Sequence, residues 1–421
     1  MFKYKNLKPR FVLVSLILSF SVVGAGTSYF GMGENDSLTP KQTIDRFYKQ
    51  IHDQFKNGAK NDPDSREQQL YQLVDELFAV ERLAPQMLQK KWKGTSDHQK
   101  KAFMEAIKIS LRQKILTYLN DKSNGNLPGI KLTSSKTNDN VATLNYSLEG
   151  VKEKKEITLY MLKYPDGSWR ISNLKAGKRS LLRDYYSFCS KIIKKYSLAY
   201  LIAEMTRSDY VILEDFESSE VGKLPRGWLW KKSDNKKNKP YKIVEEKGNK
   251  FLAAEDNGES VILGKDIVWN LKKYPYISFR WRVHHVPAGG DERYSRSVDS
   301  AAGIYIIYKK KLGLIPESVK YVWSTTLPVG AAMQRSGIGK PWNIVADSGE
   351  EHLGEWRTYT FNAYEAYKKT FGGKPPARPV GIGILSDANS TNSKAYADYD
   401  DIRALKEADA DSGVKEKLKA E

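Results

Sequence analysis

The stretch EITLYMLKYPDGSWRI, residues 156–171, contains two runs in which apolar and polar side chains alternate. The turn sequence PDG at 165–167 separates them, so the stretch predicts a β-hairpin with one buried face. The alternating run VATLNY at 141–146 adds a third strand. Helical periodicity precedes these strands from residue 38 and returns after residue 179. We therefore expect an α+β domain at residues 38–207, with helices packed on an antiparallel sheet.

The helical part of this domain carries many large apolar side chains. Ser96 and Gln99 have the spacing of a capping box, which predicts the start of the helix that contains Phe103. Periodicity alone predicts that such apolar stripes pack in the core of the domain. It does not show whether they also enclose a cavity. No catalytic arrangement is visible in residues 27–210, where the histidines are His52 and His98 and the lone cysteine is Cys189.

The second half of the chain has a different pattern. Short β-rich runs such as YISFRWRV at 276–283 and GIYIIY at 303–308 alternate with Gly, Pro and Asn turns. This pattern predicts an all-β jelly roll or β-sandwich at residues 210–406. The charged segment 407–421 is expected to be a disordered tail.

Seven of the nine tryptophans follow Tyr210. Trp281 and Trp323 lie mid-strand and are expected to fill the core. Loop-like sequence surrounds three others, which are therefore candidates for an exposed ligand platform: Trp228, Trp230 and Trp342.

Carboxylates of the second half, some of them at the two ends of the predicted sandwich, suggest two kinds of site. A structural calcium is one candidate, held by Glu214 and Glu217 at the start and by Asp400 and Asp401 at the end, although such residues are also common as solvated strand ends. A glycosidase acid pair is the other, from Asp291 with Asp299 or Asp387 with Asp400, but the sequence does not show their separation. We expect no enzyme, and no cofactor other than that calcium.

The net charge of the chain and its N-terminal sequence indicate what the protein binds and where it is located. The 421 residues hold 69 Lys and Arg against 50 Asp and Glu, a net charge of +19 that favours anionic partners. Four basic residues, an apolar run at 11–23 and the small residues GAG at 24–26 have the layout of a signal peptide over residues 1–26. We expect cleavage there and a periplasmic protein without a nucleic-acid partner; an uncleaved anchor is the alternative.

The excess of basic residues is unevenly distributed. Residues 27–210 hold 31 Lys and Arg against 21 Asp and Glu, and residues 211–421 hold 34 against 29. Electrostatic attraction of an anion is therefore expected to be strongest at the first domain. We expect that domain to bind lipid headgroups or a membrane surface.

Several segments of the first domain resemble one family. They are LVDELF at 73–78, SDHQKKAF at 96–103, SLLRDY at 180–185 and LAYLI at 198–202. In order and spacing, from about residue 40 to 205, they are similar to the MlaC, or toluene-tolerance auxiliary, family of periplasmic phospholipid-binding proteins.

The resemblance implies a carrier that shields acyl chains in an apolar pocket and leaves the headgroup in water. Such a protein shuttles phospholipid between Mla-type complexes of the inner and outer membranes and so maintains lipid asymmetry. The pocket residues that it implies are Phe78, Leu83, Leu88, Trp92, Phe103, Ile107, Leu111, Leu144, Tyr146, Leu159, Met161, Tyr185 and Ile192.

The second half resembles a bacterial secreted domain family of unknown function, expected to be a jelly roll, on motifs that include PRGW at 225–228 and DDI at 400–402. The resemblance supplies a fold and no activity. We expect an accessory module that binds a glycan, an envelope partner or an anionic headgroup. The alternatives are a non-transporting glycan-binding protein that acts through this sandwich and, less favoured, an envelope polysaccharide hydrolase.

Overall fold

The computed structural model describes residues 38–56, 63–121, 130–148, 156–311 and 315–408. The predicted signal peptide, and the tail beyond residue 408, lie outside the described residues. The chain divides into two compact units, Met1–Lys191 and Ile192–Glu421. Within the described ranges, no helix is both long and apolar enough to cross a membrane.

The N-terminal unit has helices first and then an antiparallel sheet, as predicted. Its first five helices are α1 (Pro40–Lys56), α2 (Pro63–Leu77), α3 (Val80–Leu88), α4 (Lys90–Gly94) and α5 (Asp97–Asp121). The strands, each paired with the next, are β1 (Ile130–Asn138), β2 (Val141–Leu148), β3 (Glu156–Lys163), β4 (Trp169–Ala176) and β5 (Arg179–Ser180). Helix α6 (Leu181–Ile193) follows the sheet.

The hairpin predicted from residues 156–171 is confirmed as β3 and β4. The side chains of Ile157, Leu159 and Met161 alternate into the interior and have no exposed surface. Helices α2 and α3 contact β4, and between them Ala79 N donates a hydrogen bond of 2.9 Å to Ile171 O. The sheet therefore forms its core against these helices.

The C-terminal unit is a sandwich of two sheets, as predicted from the second half. The strands are β6 (Tyr210–Glu214), β7 (Tyr241–Glu246), β8 (Asn249–Asp256), β9 (Leu263–Asp266), β10 (Tyr276–His285), β11 (Ala302–Lys311), β12 (Ile315–Ser324), β13 (Ala332–Gln334), β14 (Trp342–Ser348), β15 (Arg357–Asn362), β16 (Gly381–Ile384) and β17 (Ala395–Leu405). One sheet has the order β15, β10, β17, β8, β7, with β6 added on β17, and the other has the order β13, β14, β12, β11, β16, β9. These strands pair antiparallel except for β12 with β14.

Aromatic side chains fill the space between the two sheets. Trp281 of β10 and Trp323 of β12 are fully buried, with ring centres 6.4 Å apart, which confirms their predicted place in the core. The ring centre of Phe279 lies 4.8 Å from that of Trp281. The alternation of apolar and polar residues along these strands thus directs one face of each sheet inward.

Helix α7 (Leu198–Thr206) belongs to the second unit, whereas the sequence analysis assigned it to the first. Ser197 N donates to Val268 O at 2.9 Å, and the Tyr200 ring packs edge-on against Tyr274 at 5.9 Å. The compact units therefore divide after Lys191 rather than at residues 207–210. Helix α8 (Ala363–Phe371) also belongs to this unit.

The capping box predicted at the start of α5 is confirmed. Gln99 N donates to Ser96 Oγ at 3.1 Å, and Ser96 N donates to Gln99 Oε1 at 3.3 Å. Each side chain thus satisfies a backbone N–H that the helix leaves without a partner.

Replacement of Ser96 tests this cap. The Ser96→Ala variant loses an acceptor for a helix N–H, so we expect a loss of about 1 kcal/mol in the free energy of unfolding of the N-terminal unit. Urea denaturation of the full chain measures it. Ser96→Asp keeps an acceptor and serves as the control; an equal loss in both variants contradicts the capping role.

Candidate functional site

A groove opens in the N-terminal unit between α1, α2 and the turn that joins β3 to β4. It has a volume of about 240 Å³. Buried apolar side chains form its floor: Phe47 of α1, Leu77 of α2 and Trp169 of β4. Because three separate elements contribute these side chains, packing of the helices on the hairpin creates the groove.

Charged side chains surround the apolar floor. Arg46 of α1, Glu76 of α2 and Asp166 of the turn line the groove and are exposed. Asp166 Oδ1 accepts hydrogen bonds from Ser168 N at 2.9 Å and from Ser168 Oγ at 2.6 Å. These bonds, and then the nearby Arg170 guanidinium, hold the pKa of Asp166 below its usual range. The rim therefore presents charges of both signs above an apolar base.

None of the thirteen predicted pocket residues lines this groove. Eleven of them are instead buried side chains of the first unit: Phe78, Leu83, Leu88, Phe103, Ile107, Leu111, Leu144, Tyr146, Leu159, Met161 and Tyr185. Trp92 is half-buried. Ile192 is also half-buried and packs against the core of the second unit.

Sequence reasoning missed the residues that do line the groove, including Leu38, Phe47, Leu73 and Trp169. Phe47 and Leu77 share the helical apolar stripes with core residues. A periodic pattern marks such a side chain as inward-facing but does not show whether a partner covers it.

Tyr185 and Cys189 of α6, with the α5 side chains near them, do not form a reactive site. Lys114 Nζ donates to Tyr185 Oη at 2.6 Å, and Ser110 Oγ lies 3.1 Å from the same oxygen. The buried Cys189 lies one turn further along α6, and burial raises the pKa of its thiol to about 12. A thiol that stays protonated at neutral pH is a poor nucleophile.

The predicted tryptophan platform in the sandwich requires correction. Trp228 is buried, because its Nε1 donates a 2.6 Å hydrogen bond to Glu214 and its ring stacks on Phe216. Trp230 is half-buried and donates to Asn235 Oδ1 at 3.1 Å. Trp342 is half-buried and packs against the core. The three rings do not therefore form one exposed surface.

The four carboxylates considered for calcium have other partners. Glu214 accepts from Lys265 Nζ at 2.7 Å, and Asp400 accepts from Arg280 at 2.5 Å. Among the remaining bonds, Arg403 donates to Asp401 at 2.6 Å and Lys250 N donates to Glu217 at 2.9 Å. In the described part of the chain, no three acidic, His or Cys side chains are placed to hold a metal ion.

The carboxylates considered for glycoside hydrolysis also make structural contacts. Arg293 binds Asp291 at 2.7 Å and holds its pKa below the usual range. The fully buried Asp299 accepts from Thr391 N at 2.6 Å and from Thr391 Oγ1 at 2.7 Å, so it fixes the loop before β17.

Asp387 belongs to a buried charge cluster around Lys320 of β12. Lys320 is 3% exposed, and its Nζ donates to Ser300 Oγ at 3.2 Å. Burial lowers the pKa of Lys320, while Asp387, Glu292 and Asp299 act in the opposite direction. Burial raises the pKa of both Asp387 and Glu292. The lysine therefore compensates carboxylates that lie in the same buried region.

Comparison with known protein families assigns a different family to each half of the chain, and the first match extends beyond Lys191 to residue 207. Residues 41–207 match the family model described as MlaC protein. Over these residues the chain is similar to the MlaC family. Residues 226–403 match a protein family of unknown function, DUF3047. The resemblances predicted for both halves are thereby confirmed, and the MlaC match supports a lipid-binding role for the first.

Two solved structures are similar to parts of the chain. A phospholipid-binding protein from Ralstonia solanacearum, solved with a phospholipid, is 18% identical; the match covers 39% of this chain and 93% of that one, with a TM-score of 0.33. A carbohydrate-binding module of Caldicellulosiruptor saccharolyticus, solved with mannohexaose, is 14% identical; the match covers 48% of this chain and 98% of that one, with a TM-score of 0.24. No curated protein matches the chain.

Replacement of Lys320 tests the buried charge cluster. Lys320→Met leaves carboxylates without their compensating charge, so we expect the sandwich to lose about 3–5 kcal/mol of unfolding free energy at pH 8. Carboxyl groups with a raised pKa in the folded state contribute stability at low pH and lose it as the pH rises. The loss should therefore be smaller at pH 5.

Urea denaturation of the full chain at both pH values measures the effect. Lys242→Met removes an exposed lysine paired with Glu255 and is the matched control, expected to change stability by less than about 1 kcal/mol. A Lys320→Met loss that does not depend on pH contradicts the assigned role.

Proposed function

We propose that this protein is an exported lipid carrier whose N-terminal unit holds phospholipid acyl chains and moves them across the periplasm, between complexes of the inner and outer membranes. The observation that carries the proposal is the groove with an apolar floor and a charged rim, in a domain that matches the MlaC family. An apolar floor shields acyl chains, while a charged rim leaves the headgroup hydrated.

The size of the groove implies that lipid binding widens it. Its volume of about 240 Å³ is below the roughly 300–1,000 Å³ of pockets that enclose drug-sized ligands, and a phospholipid with two chains is larger than such ligands. Each methylene removed from water contributes about 0.8 kcal/mol, so one acyl chain of fourteen methylenes supplies on the order of 11 kcal/mol. That energy is available to separate α1 and α2 from the hairpin turn.

The charges of the rim suit a zwitterionic headgroup. The Arg46 guanidinium matches a phosphodiester, and the Glu76 and Asp166 carboxylates match an ammonium group. These two carboxylates would repel a purely anionic headgroup. The proposed cargo is therefore a phospholipid with a phosphate and an amine.

The sandwich is proposed to act as an accessory binding module rather than as an enzyme. Its candidate acid Asp291 is paired with Arg293, and Asp299 is fully buried with hydrogen bonds to the loop before β17. General acid catalysis requires a carboxyl group that reaches substrate. The contacts of these two residues favour a structural role.

Lipid analysis of the purified full-length mature protein tests the carrier proposal. We expect stoichiometric phospholipid by mass spectrometry of an organic extract. Leu73→Gln places an amide in the groove wall, and loss of a half-buried leucine contact of about 1 kcal/mol should weaken phospholipid binding about fivefold.

Leu132→Gln is the matched control, because Leu132 is also a half-buried leucine of this unit but does not line the groove. The control variant should retain the wild-type lipid content. The carrier proposal is wrong if the well-folded protein contains no lipid and does not bind added phospholipid.

A further inference from the structure

Residues 220–240, here called the basic segment, run along one side of the sandwich. Gly222 N donates to Ile243 O at 2.8 Å, which places the start of the segment beside β7, the edge strand of one sheet. Leu229 exchanges two hydrogen bonds with Gly264 of β9, at 2.8 and 2.7 Å, and β9 is the edge strand of the other sheet. The segment therefore covers an edge of each sheet on the same side.

Buried contacts fix the main chain of the basic segment. Trp228 is 4% exposed, stacks on Phe216 and donates to Glu214. Asp234 is buried and lies 3.3 Å from Lys237 Nζ, while Lys239 Nζ donates to Asp234 O at 2.6 Å. The side chains between these anchors are consequently held in defined directions.

Large apolar side chains of the basic segment point to solvent. Leu229 is 67% exposed although its backbone bonds to β9, and Val221, next to Gly222, is 53% exposed. Trp230 is half-buried beside them, with the Lys239 ammonium 5.1 Å from its ring centre. Exposed aliphatic side chains beside a partly buried tryptophan are typical of surfaces that meet the interfacial region of a bilayer.

The basic segment also carries the net charge of its half of the chain. It holds seven Lys and Arg against two acidic residues, whereas residues 211–421 as a whole hold 34 against 29, so the rest of this half is balanced. Five basic side chains of the segment are exposed and, among the described residues, form no ion pair with a carboxylate: Lys223, Arg226, Lys231, Lys232 and Lys236.

We propose that the basic segment docks the sandwich on the surface of a bilayer that contains anionic phospholipid. The lysines and arginines attract the negative surface, and Leu229 and Val221 insert among the acyl chains beneath the headgroups. An acidic polysaccharide would satisfy the charges but would leave these aliphatic side chains in water. This docking does not depend on the groove of the N-terminal unit.

Cosedimentation of the full-length mature protein with vesicles tests the proposal. Vesicles of phosphatidylglycerol and phosphatidylethanolamine are compared with vesicles of phosphatidylcholine alone, and we expect stronger binding to the anionic set. The Lys231→Gln/Lys232→Gln variant should bind anionic vesicles roughly twenty-five-fold more weakly, at about fivefold for each lysine removed. This difference should shrink as salt is added.

Two further variants separate charge from insertion. Lys310→Gln/Lys374→Gln removes two exposed lysines outside the basic segment and should bind as the wild type does. Leu229→Ser should weaken binding about tenfold, and its effect should persist at high salt because insertion is apolar. Phospholipid held in the groove should be the same in all three variants, which keeps this test separate from the carrier proposal.

Specific outcomes overturn the proposal. If the two double-lysine variants lose vesicle binding equally, binding depends on the overall charge of the protein rather than on the basic segment. Wild-type binding by Leu229→Ser, together with competition by a soluble acidic polysaccharide that requires Lys231 and Lys232, would identify a polysaccharide site instead of a bilayer dock.

Discussion

The Glu214 carboxylate is the contact on which the sandwich depends. It is 3% exposed at the end of β6, and four donors surround it. Asp215 N and Phe216 N donate to Oε1 at 3.1 and 2.8 Å, while Trp228 Nε1 and Lys265 Nζ donate to Oε2 at 2.6 and 2.7 Å. One side chain thus joins the first strand, the basic segment and the edge strand β9. Such a buried charge is tolerated only because a cation and several N–H groups compensate it.

The same carboxylate explains an unfavourable backbone conformation. Phe216 has a φ of +55°, a left-handed conformation that costs a bulky side chain about 1–2 kcal/mol. Its N–H donates to Glu214, and the conformation directs its fully buried ring against Trp228. Hydrogen bonding and ring burial together offset the strain. Because Trp228 is then fixed, its neighbour Leu229 has a defined direction toward solvent.

Local patterns predicted much of the fold but not the groove. The hairpin at 156–171, the Ser96 cap and the buried Trp281 depend on alternation or spacing within a few residues, so sequence reasoning could find them. The groove joins Phe47, Leu73 and Trp169, which are far apart in sequence, and its opening depends on what leaves them uncovered. The packing of α7 with Val268 and Tyr274 likewise joins residues that are far apart in sequence, so local patterns do not show it. Trp228 was misread because the buried acceptor that it needs, Glu214, lies fourteen residues earlier.

Net charge counted over whole domains does not show where unpaired cations cluster. The N-terminal half has the larger basic excess, yet salt screens charges beyond about 8–10 Å, so the local density of unpaired cations matters more than the total. In that half, Arg112 is paired with Asp75 and Glu105, and Arg179 with Asp184. In the basic segment the cations follow one another along a fixed chain, next to exposed Leu229. A bilayer surface responds to both features at once, because it attracts the cations and removes the aliphatic side chain from water.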